Sequence, residues 1–370
     1  MEKNRRSLIM SKDDPKKALK ELGTRIVYQI GNGKNPEISF PLRNLSNIVY
    51  DKKTKTLKLG NKIGTRSFFN VAHSKKFLQT VEVASILQKE LLESGKHEHL
   101  RGIFYMTKRT IPGTKVNIVD DQSESDKILE DLEVMTGLSR EQLHVSANKM
   151  GSMVGNIILE DSGDTIDCSK LGRGGYSVPS ITNELQLKKI QAKYVLYMEK
   201  AAIFERLNED KFWQKNNCIL VTSQGQTTRG IRRLLQRLSE EGGLSIYVLT
   251  DFDCWGFYIY SVVKYGSIAL AHASEKLTIP NVKFLGITAD DINRYDLKKH
   301  LIKLNDQDLA RMKQVSEYEW FKDNKDWQRQ LKMMKEFGAK AEIQALSARG
   351  VSFISEIYLP EKIRKQEFLE

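Results

Sequence analysis

Four near-continuous apolar runs constrain this chain most: AKYVLYME (192–199), NCILVTS (217–223), LSIYVLT (244–250) and VKFLGIT (282–288). Each is of strand length and none alternates with polar residues, so each reads as a strand buried on both faces. Between the second and third lies TTRGIRRLLQRLSEEGG (227–243), a basic amphipathic helix closed by glycines. Buried strands alternating with helices predict a parallel sheet covered by helices on its faces.

Open parallel sheets collect ligands at the carboxyl ends of their strands. Glu199 closes the first run and Asp251 follows the third, so both acids are expected on one rim. Asp253 lies two residues further, and in extended chain it points the same way as Asp251. A single acid after a strand is ordinary loop chemistry. Three converging carboxylates repel one another, and a hard oxygen-seeking divalent cation such as magnesium relieves that repulsion. Arg229, Arg232 and Arg233 on the neighbouring helix are candidates to face phosphates, although solvated helix faces are basic for no such reason. A haloacid-dehalogenase-type phosphatase also places Asp-x-Asp after a strand. It requires Thr or Val two residues on, where this chain has Trp255, and gives Glu199 no role. The segment CWGFYIYSVVKYGSIALA predicts an amphipathic helix behind the acids, with Trp255, Phe257 and Tyr258 as packing residues.

The first half reads differently. Residues 12–30 predict a helix with Pro15 in its first turn and Leu19, Leu22, Ile26 and Ile30 on one side. NIVYDKKTKTLKLG alternates around KKTK and predicts a hairpin. Helical patterns follow at 80–94 and 98–109, and a third in SESDKILEDLEVMTG, opening on Ser-x-x-Asp and closing on Gly137. VGNIILED and GDTIDCS then predict a β-ribbon, and three short helices before a ribbon read as a winged helix-turn-helix. LGRGGYSVPS (171–180) has the composition of an interdomain linker. After residue 305 the chain reads as charged helices, then a short strand in VSFISEIYLP and a polar tail. The boundaries are therefore 1–68 for a helix-and-hairpin extension, 69–168 for the winged helix, 169–190 for a linker, and 191–370 for the α/β domain with a helical extension.

With 370 residues the chain is long enough for two or three domains, and no internal repeat is visible. Its 59 Lys and Arg against 47 Asp and Glu give a net charge of +12 and favour an anionic partner, nucleic acid or an anionic membrane surface. No apolar stretch approaches the ~20 residues of a membrane-spanning helix. Cys168, Cys218 and Cys254 lack metal-ligand spacing and read as reduced structural thiols, and the six histidines carry no zinc pattern.

A DNA-cleaving enzyme that stores the broken bond needs a nucleophile that is also a leaving group, and a tyrosine phenolate serves both roles. Of thirteen tyrosines, Tyr105 in EHLRGIFYMTKRT is set apart by its neighbours. A helix there puts Arg101, Lys108 and Arg109 on its face, where cations favour the phenolate, while Leu100, Ile103, Phe104 and Thr107 pack on another side. Taken alone, Tyr105 also reads as an ordinary surface tyrosine.

Glu199 followed by Asp251-Phe252-Asp253, each after an apolar strand, resembles the Toprim domain of topoisomerases, primases and related nucleases. DQSESDKILEDLE, GDTIDCSKLGRGGYSVPS, YMEKAAIFERL, TSQGQTTRGIRRLL and DFDCWGFYIYSVVKYGS are similar, in order, to segments of the A subunits of archaeal type IIB topoisomerases, the topoisomerase VI family. The meiotic recombination protein Spo-eleven belongs to the same superfamily. The resemblance spans roughly residues 12–360. It implies an α/β multidomain fold, a winged-helix (CAP-like) domain followed by a Toprim domain with a mostly parallel sheet. It implies Tyr105 as nucleophile in an Arg-x-x-Tyr/Phe-Tyr motif, here Arg101 to Tyr105, forming a 5′-phosphotyrosyl link. Glu199, Asp251 and Asp253 would hold Mg²⁺, and Arg101, Lys108, Arg109 and Arg229 would contact double-stranded DNA. A dimer, in which one protomer's metal site serves the other's tyrosine, would cut both strands. A separate ATPase B subunit would complete an A2B2 heterotetramer and bind the ATP, since GNGKNPE lacks the spacing of a phosphate-binding loop. A cytoplasmic, nucleoid-associated enzyme with no membrane partner is implied. Gly102, where many relatives carry an acid, and Gln224 with Thr227-Thr228, where Lys-Gly and Pro-Asp are expected, depart from the family pattern. A break-forming recombination protein of the Spo-eleven type, a hydrolytic Toprim nuclease and a non-catalytic DNA-binding scaffold are the alternatives.

Overall fold

The computed structural model describes residues 14–147, 151–223 and 225–370. They form two compact units, one from 14–49, 58–147 and 268–273, the other from 50–57, 151–267 and 274–370.

In the first unit, helix α1 (Pro15–Gly31) starts as its sequence demands. Asp14 caps it by accepting the Lys16 and Lys17 N–H groups, and Pro15 sits where no N–H is needed. Leu19 and Leu22 are buried, whereas Ile30 is exposed. Strand β1 (Glu37–Pro41) is followed by the expected hairpin, β2 (Ile48–Asp51) and β3 (Thr56–Leu59), whose residues 50–57 are grouped with the second unit, and then by β4 (Ile63–Ser67), which pairs antiparallel with β1. Helix α2 (Val71–Ile86) begins nine residues before the expected 80, because Asn70 caps it by accepting the Ala72 N–H; a π-type turn at Leu87–Leu92 continues it. After β5 (Glu98–His99) come α3 (Leu100–Thr107) and α4 (Gln122–Thr136), and then β6 (Val145–Ser146), which pairs with β5. The cap of α4 is Asp121 rather than Ser123, while Gly137 ends it as expected, at φ +70°.

The apolar core joins Leu19 and Leu22 of α1, Val83 and Leu87, Ile103 of α3, and Ile128, Leu129 and Leu132 of α4. An ionic knot lies beside it. Asp131 accepts from Arg43 (2.8 Å) and from Arg66, and Arg66 also donates to Thr80 (2.8 Å).

In the second unit the four apolar runs form β12 (Tyr194–Met198), β13 (Ile219–Thr222), β14 (Ser245–Leu249) and β15 (Lys283–Gly286), all parallel. They belong to a six-stranded sheet completed by β7 (Ser152–Gly155), antiparallel to β13, and β10 (Tyr176–Ser177). The ribbon expected from VGNIILED and GDTIDCS forms as β8 (Ile157–Asp161) and β9 (Asp164–Asp167). It is part of this unit, where β11 (Gln186–Ile190) adds to β8 while β7 enters the central sheet. LGRGGYSVPS therefore contains a sheet strand, β10, and is not a free linker. The strands that pack against α2 and α4 in the first unit are β4 and β1.

Helices α5 (Ala201–Glu209), α6 (Arg229–Glu240), α7 (Cys254–Tyr265), α8 (Asp306–Glu317) and α9 (Lys325–Phe337) complete most of the unit. VSFISEIYLP is helical, not a strand: a π-type turn at Ile354–Tyr358 runs into α10 (Leu359–Lys365). Ile354, Tyr358 and Leu359 are fully buried at helical spacing, and Tyr358 donates to Asp291 at 2.9 Å. All three cysteines are buried free thiols. Among the described residues no helix is long and apolar enough to cross a membrane.

Removing the carboxylate of the ionic knot leaves two largely buried guanidinium groups short of their partner. Asp131→Ala is expected to destabilise the first unit by about 3–5 kcal/mol, read as a fall in the denaturation midpoint. A loss under ~1 kcal/mol would mean that the pairs behave as solvated surface contacts.

Candidate active-site residues

Register fixes the positions of two of the acids. Met198 of β12 lies beside Leu249 of β14, so Glu199 and Asp251 emerge on neighbouring strand ends at the same rim of the sheet. Asp251 is 8% exposed. One of its oxygens accepts the Ile343 N–H at 2.9 Å, and the other meets the Lys200 ammonium at 2.7 Å. Lys200 also reaches Glu342 at 3.2 Å. Asp253 has extended backbone and caps α7 by accepting the Gly256 N–H at 2.6 Å. Glycine is required at 256: a Cβ there would stand 2.4 Å from the Asp251 carbonyl oxygen.

The electrostatics follow from this crowding. Burial, with the charges of Asp251 and Asp253 added, pushes the Glu199 carboxyl up to about 7, while Lys200 opposes the shift. Burial also raises Asp251, against the pull of Lys200 and the Ile343 N–H. It raises Asp253 as well, against the Gly256 N–H, with Asp251 adding to the rise. Among the described residues, no three His, Cys, Asp or Glu side chains are gathered closely enough to hold an ion as they stand. Lys200 engages Asp251, and Asp253 is turned to its helix cap. The donor set nevertheless suits a hard divalent cation, being carboxylate oxygens alone, with burial and mutual repulsion disfavouring their charge until a cation neutralises it.

Lys200, Glu342 and the Ile343 N–H are neighbours that the sequence reading missed. Lys200 follows Glu199 directly, but its pairing with Glu342 is tertiary and leaves no local signal. A second ion pair, Lys340 with Asp308 (2.9 Å), carries charges that act on Asp253.

The arginines of α6 divide. Arg229 opens the helix, which Thr228 caps. Arg232 does not face phosphate: it is 2% exposed and donates to the Leu277 carbonyl at 3.1 Å. Arg233 donates to Asn183 at 2.7 Å. Of the aromatics of α7, Phe257 is packed at 0% exposure, whereas Trp255 is 46% exposed with the Arg311 guanidinium 4.5 Å from its ring centre. Gln224 lies outside the described residues.

In the first unit, α3 presents Tyr105 at 60% exposure while Ile103, Phe104 and Thr107 are buried on the other side. Arg101 shares the helix and is exposed, but the helix ends at Thr107, so Lys108 and Arg109 do not continue its face. The Lys108 ammonium lies 5.3 Å from the Phe104 ring centre, and Arg109 pairs with Glu82. At Gly102 a Cβ would come 2.3 Å from the Glu98 carboxyl carbon, so the Glu98 side chain occupies the space a larger residue would need.

Comparison with known families accounts for both units. Residues 75–145 match the model described as type IIB DNA topoisomerase. Residues 149–191 match the all-beta domain in DNA topoisomerase VI alpha subunit, and residues 194–363 match the Toprim domain of the topoisomerase 6 A-subunit/Spo11 group. The A subunit of type 2 DNA topoisomerase 6 from Pyrococcus abyssi is 44% identical over 369 residues, covering 96% of each chain. The corresponding proteins of Hyperthermus butylicus and Methanocaldococcus jannaschii are 40% and 36% identical, covering 96% and 95% of each chain. A chain that carries all three segments in order and aligns with these relatives almost end to end belongs to the topoisomerase VI A-subunit/Spo11 family.

Proposed function

We propose that Tyr105 is the nucleophile of DNA cleavage and that Glu199, Asp251 and Asp253 are the metal-binding half of the reaction. The chain is the DNA-cleaving subunit of a type IIB topoisomerase, a conclusion carried by its 44% identity over 96% of its length to a relative of that name. The residue roles rest on different support: a solvent-facing tyrosine on a helix anchored from behind, and three carboxyl groups crowded at one sheet rim.

The Tyr105 oxygen attacks phosphorus, the bond from phosphorus to the 3′ oxygen breaks, and the strand end is held as a 5′-phosphotyrosyl ester. The phenolic proton passes to solvent and the departing 3′ oxygen takes one up. One phosphodiester replaces another, so attack by the 3′-hydroxyl reseals the strand without an external energy source. Ile103, Phe104 and Thr107 hold the helix so that the phenol meets the phosphate in a fixed orientation. Arg101, Lys108 and Arg229 are the proposed phosphate contacts, and Arg109 joins them on release from Glu82. Mg²⁺ held by Glu199, Asp251 and Asp253 would neutralise charge on the phosphoryl group and position the 3′ oxygen. For the acids to gather, Lys200 moves from Asp251 toward Glu342, its other partner.

Two copies of this chain cut both strands of a duplex. ATP acts through a separate ATPase partner in an A2B2 assembly, consistent with a sequence that has no GxxxxGK[ST] stretch. The place of action is the nucleoid in the cytoplasm.

With the ATPase partner present, Tyr105→Phe is expected to leave no protein on DNA 5′ ends in a trapped cleavage assay. Continued cutting by the variant would favour a hydrolytic nuclease with water as nucleophile. Glu199→Ala and Asp251→Asn should each lower Mg²⁺-dependent cleavage by at least ~100-fold while anisotropy shows DNA still bound; unchanged cleavage removes them from the site. Because binding is mainly to phosphates, affinity should fall steeply with salt, and Arg101→Ala should flatten the slope of log K against log salt by about 1. An unchanged slope means that Arg101 touches no phosphate.

A further inference from the structure

Helix α3 has only eight residues, too few to be stable alone, yet it presents the exposed Tyr105. Its first turn is held by two residues of β5. His99 is the N-cap, and its Nδ1 accepts the Arg101 N–H at 3.2 Å. Accepting there requires a bare Nδ1, so the ring proton sits on Nε2. Nε2 is buried without a hydrogen-bond partner, and so is one carboxylate oxygen of Asp126 on α4. The two side chains interact electrostatically. Glu98 completes the arrangement: one oxygen accepts the His99 N–H at 2.6 Å, and its side chain lies over Gly102.

Protonation opposes this cap twice. A proton on Nδ1 removes the acceptor from the Arg101 N–H, and the added positive charge faces the positive end of the helix dipole. Other charges bear on the same place. From α4 the Asp126 carboxylate, which interacts with the ring, favours the protonated form, while Glu130 and Arg140 act on Asp126 with opposite signs; Glu98 on the same strand also favours the charged ring. The rings of His97 and His144, just before β5 and β6, stack on each other at 4.3 Å. Whatever their balance, the cap is lost once Nδ1 carries a proton.

We propose that His99 is a positioning residue for the reaction of Tyr105, holding the start of α3 in its neutral form and releasing it when protonated. The proposal rests on the reading of Tyr105 as nucleophile. A displacement of the phenol by about 1 Å can cost ~100-fold in rate, so release of the first turn reaches the chemistry without any contact between His99 and DNA.

The test compares trapped covalent complexes formed by the holoenzyme with wild type, His99→Asn and His99→Ala, from about pH 8 to about pH 5.5, the range in which histidine takes up a proton. Asn keeps an oxygen acceptor at the cap at every pH. Because Tyr105 and the acids are common to all three proteins, their own pH effects cancel in the ratio of variant to wild type. The ratio of His99→Asn to wild type is expected to rise about tenfold on acidification, and His99→Ala to stay low throughout. Parallel profiles for wild type and His99→Asn overturn the proposal. Should His99→Asn melt early, hydrogen exchange at the Arg101 amide in wild type decides: protection, corrected for intrinsic rate, falls with pH if the cap opens. Constant protection overturns the idea. Covalent complexes formed by Tyr105→Phe would instead remove the nucleophile assignment on which the proposal rests.

Discussion

Like charge crowded at the carboxyl end of one parallel sheet is the constraint around which the second unit is arranged. Glu199 and Asp251 leave adjacent strands, Asp253 follows two residues later, and water is largely excluded from Asp251. Each carboxyl group is raised by burial, which disfavours its charged form. The fold supplies their partners: the Lys200 ammonium and the Ile343 N–H at Asp251, and the start of α7 at Asp253. Lys200 is the telling member. Its ammonium is shared with a second carboxylate, Glu342, and the Ile343 N–H ties Asp251 to the same stretch of chain.

The same economy explains small residues. Gly256 lets α7 start directly against the backbone of Asp251, so the helix cap and the strand end share one short stretch of chain. Gly102 plays the corresponding role in the first unit, where only a missing side chain leaves space for Glu98 over the first turn of the tyrosine helix. At Gly256 a backbone neighbour sets the requirement and at Gly102 a side chain does, and neither glycine is in the left-handed conformation.

The parallel sheet was legible because strands buried on both faces read as unbroken apolar runs, and YVLYM is buried at all five positions. The rim position of Glu199 and Asp251 followed from the strand ends. Tertiary partners were not legible. Nothing local in the sequence marks Arg232 as buried, because its helix is basic on its exposed turns as well; its partners, the Leu277 carbonyl and the Ser267 hydroxyl, are tertiary. VSFISEIYLP has the β-branched and aromatic content of a strand, but its buried side chains follow helical spacing. LGRGGYSVPS has the composition of a linker, yet its Tyr176 and Ser177 find an edge on β7. Around Tyr105 the buried side was read from spacing, while the ring of cations failed because the helix stops at Thr107.

The proposed chemistry is thus divided between Tyr105 in one unit and acids in another, and on that reading the tyrosine separates a topoisomerase from a hydrolytic nuclease. The most direct measurement is to digest a trapped protein–DNA adduct and identify the modified peptide by mass spectrometry. The account predicts a nucleotide joined through its 5′ phosphate to the oxygen of Tyr105. An adduct on any other residue, or one joined through a 3′ phosphate, would contradict it.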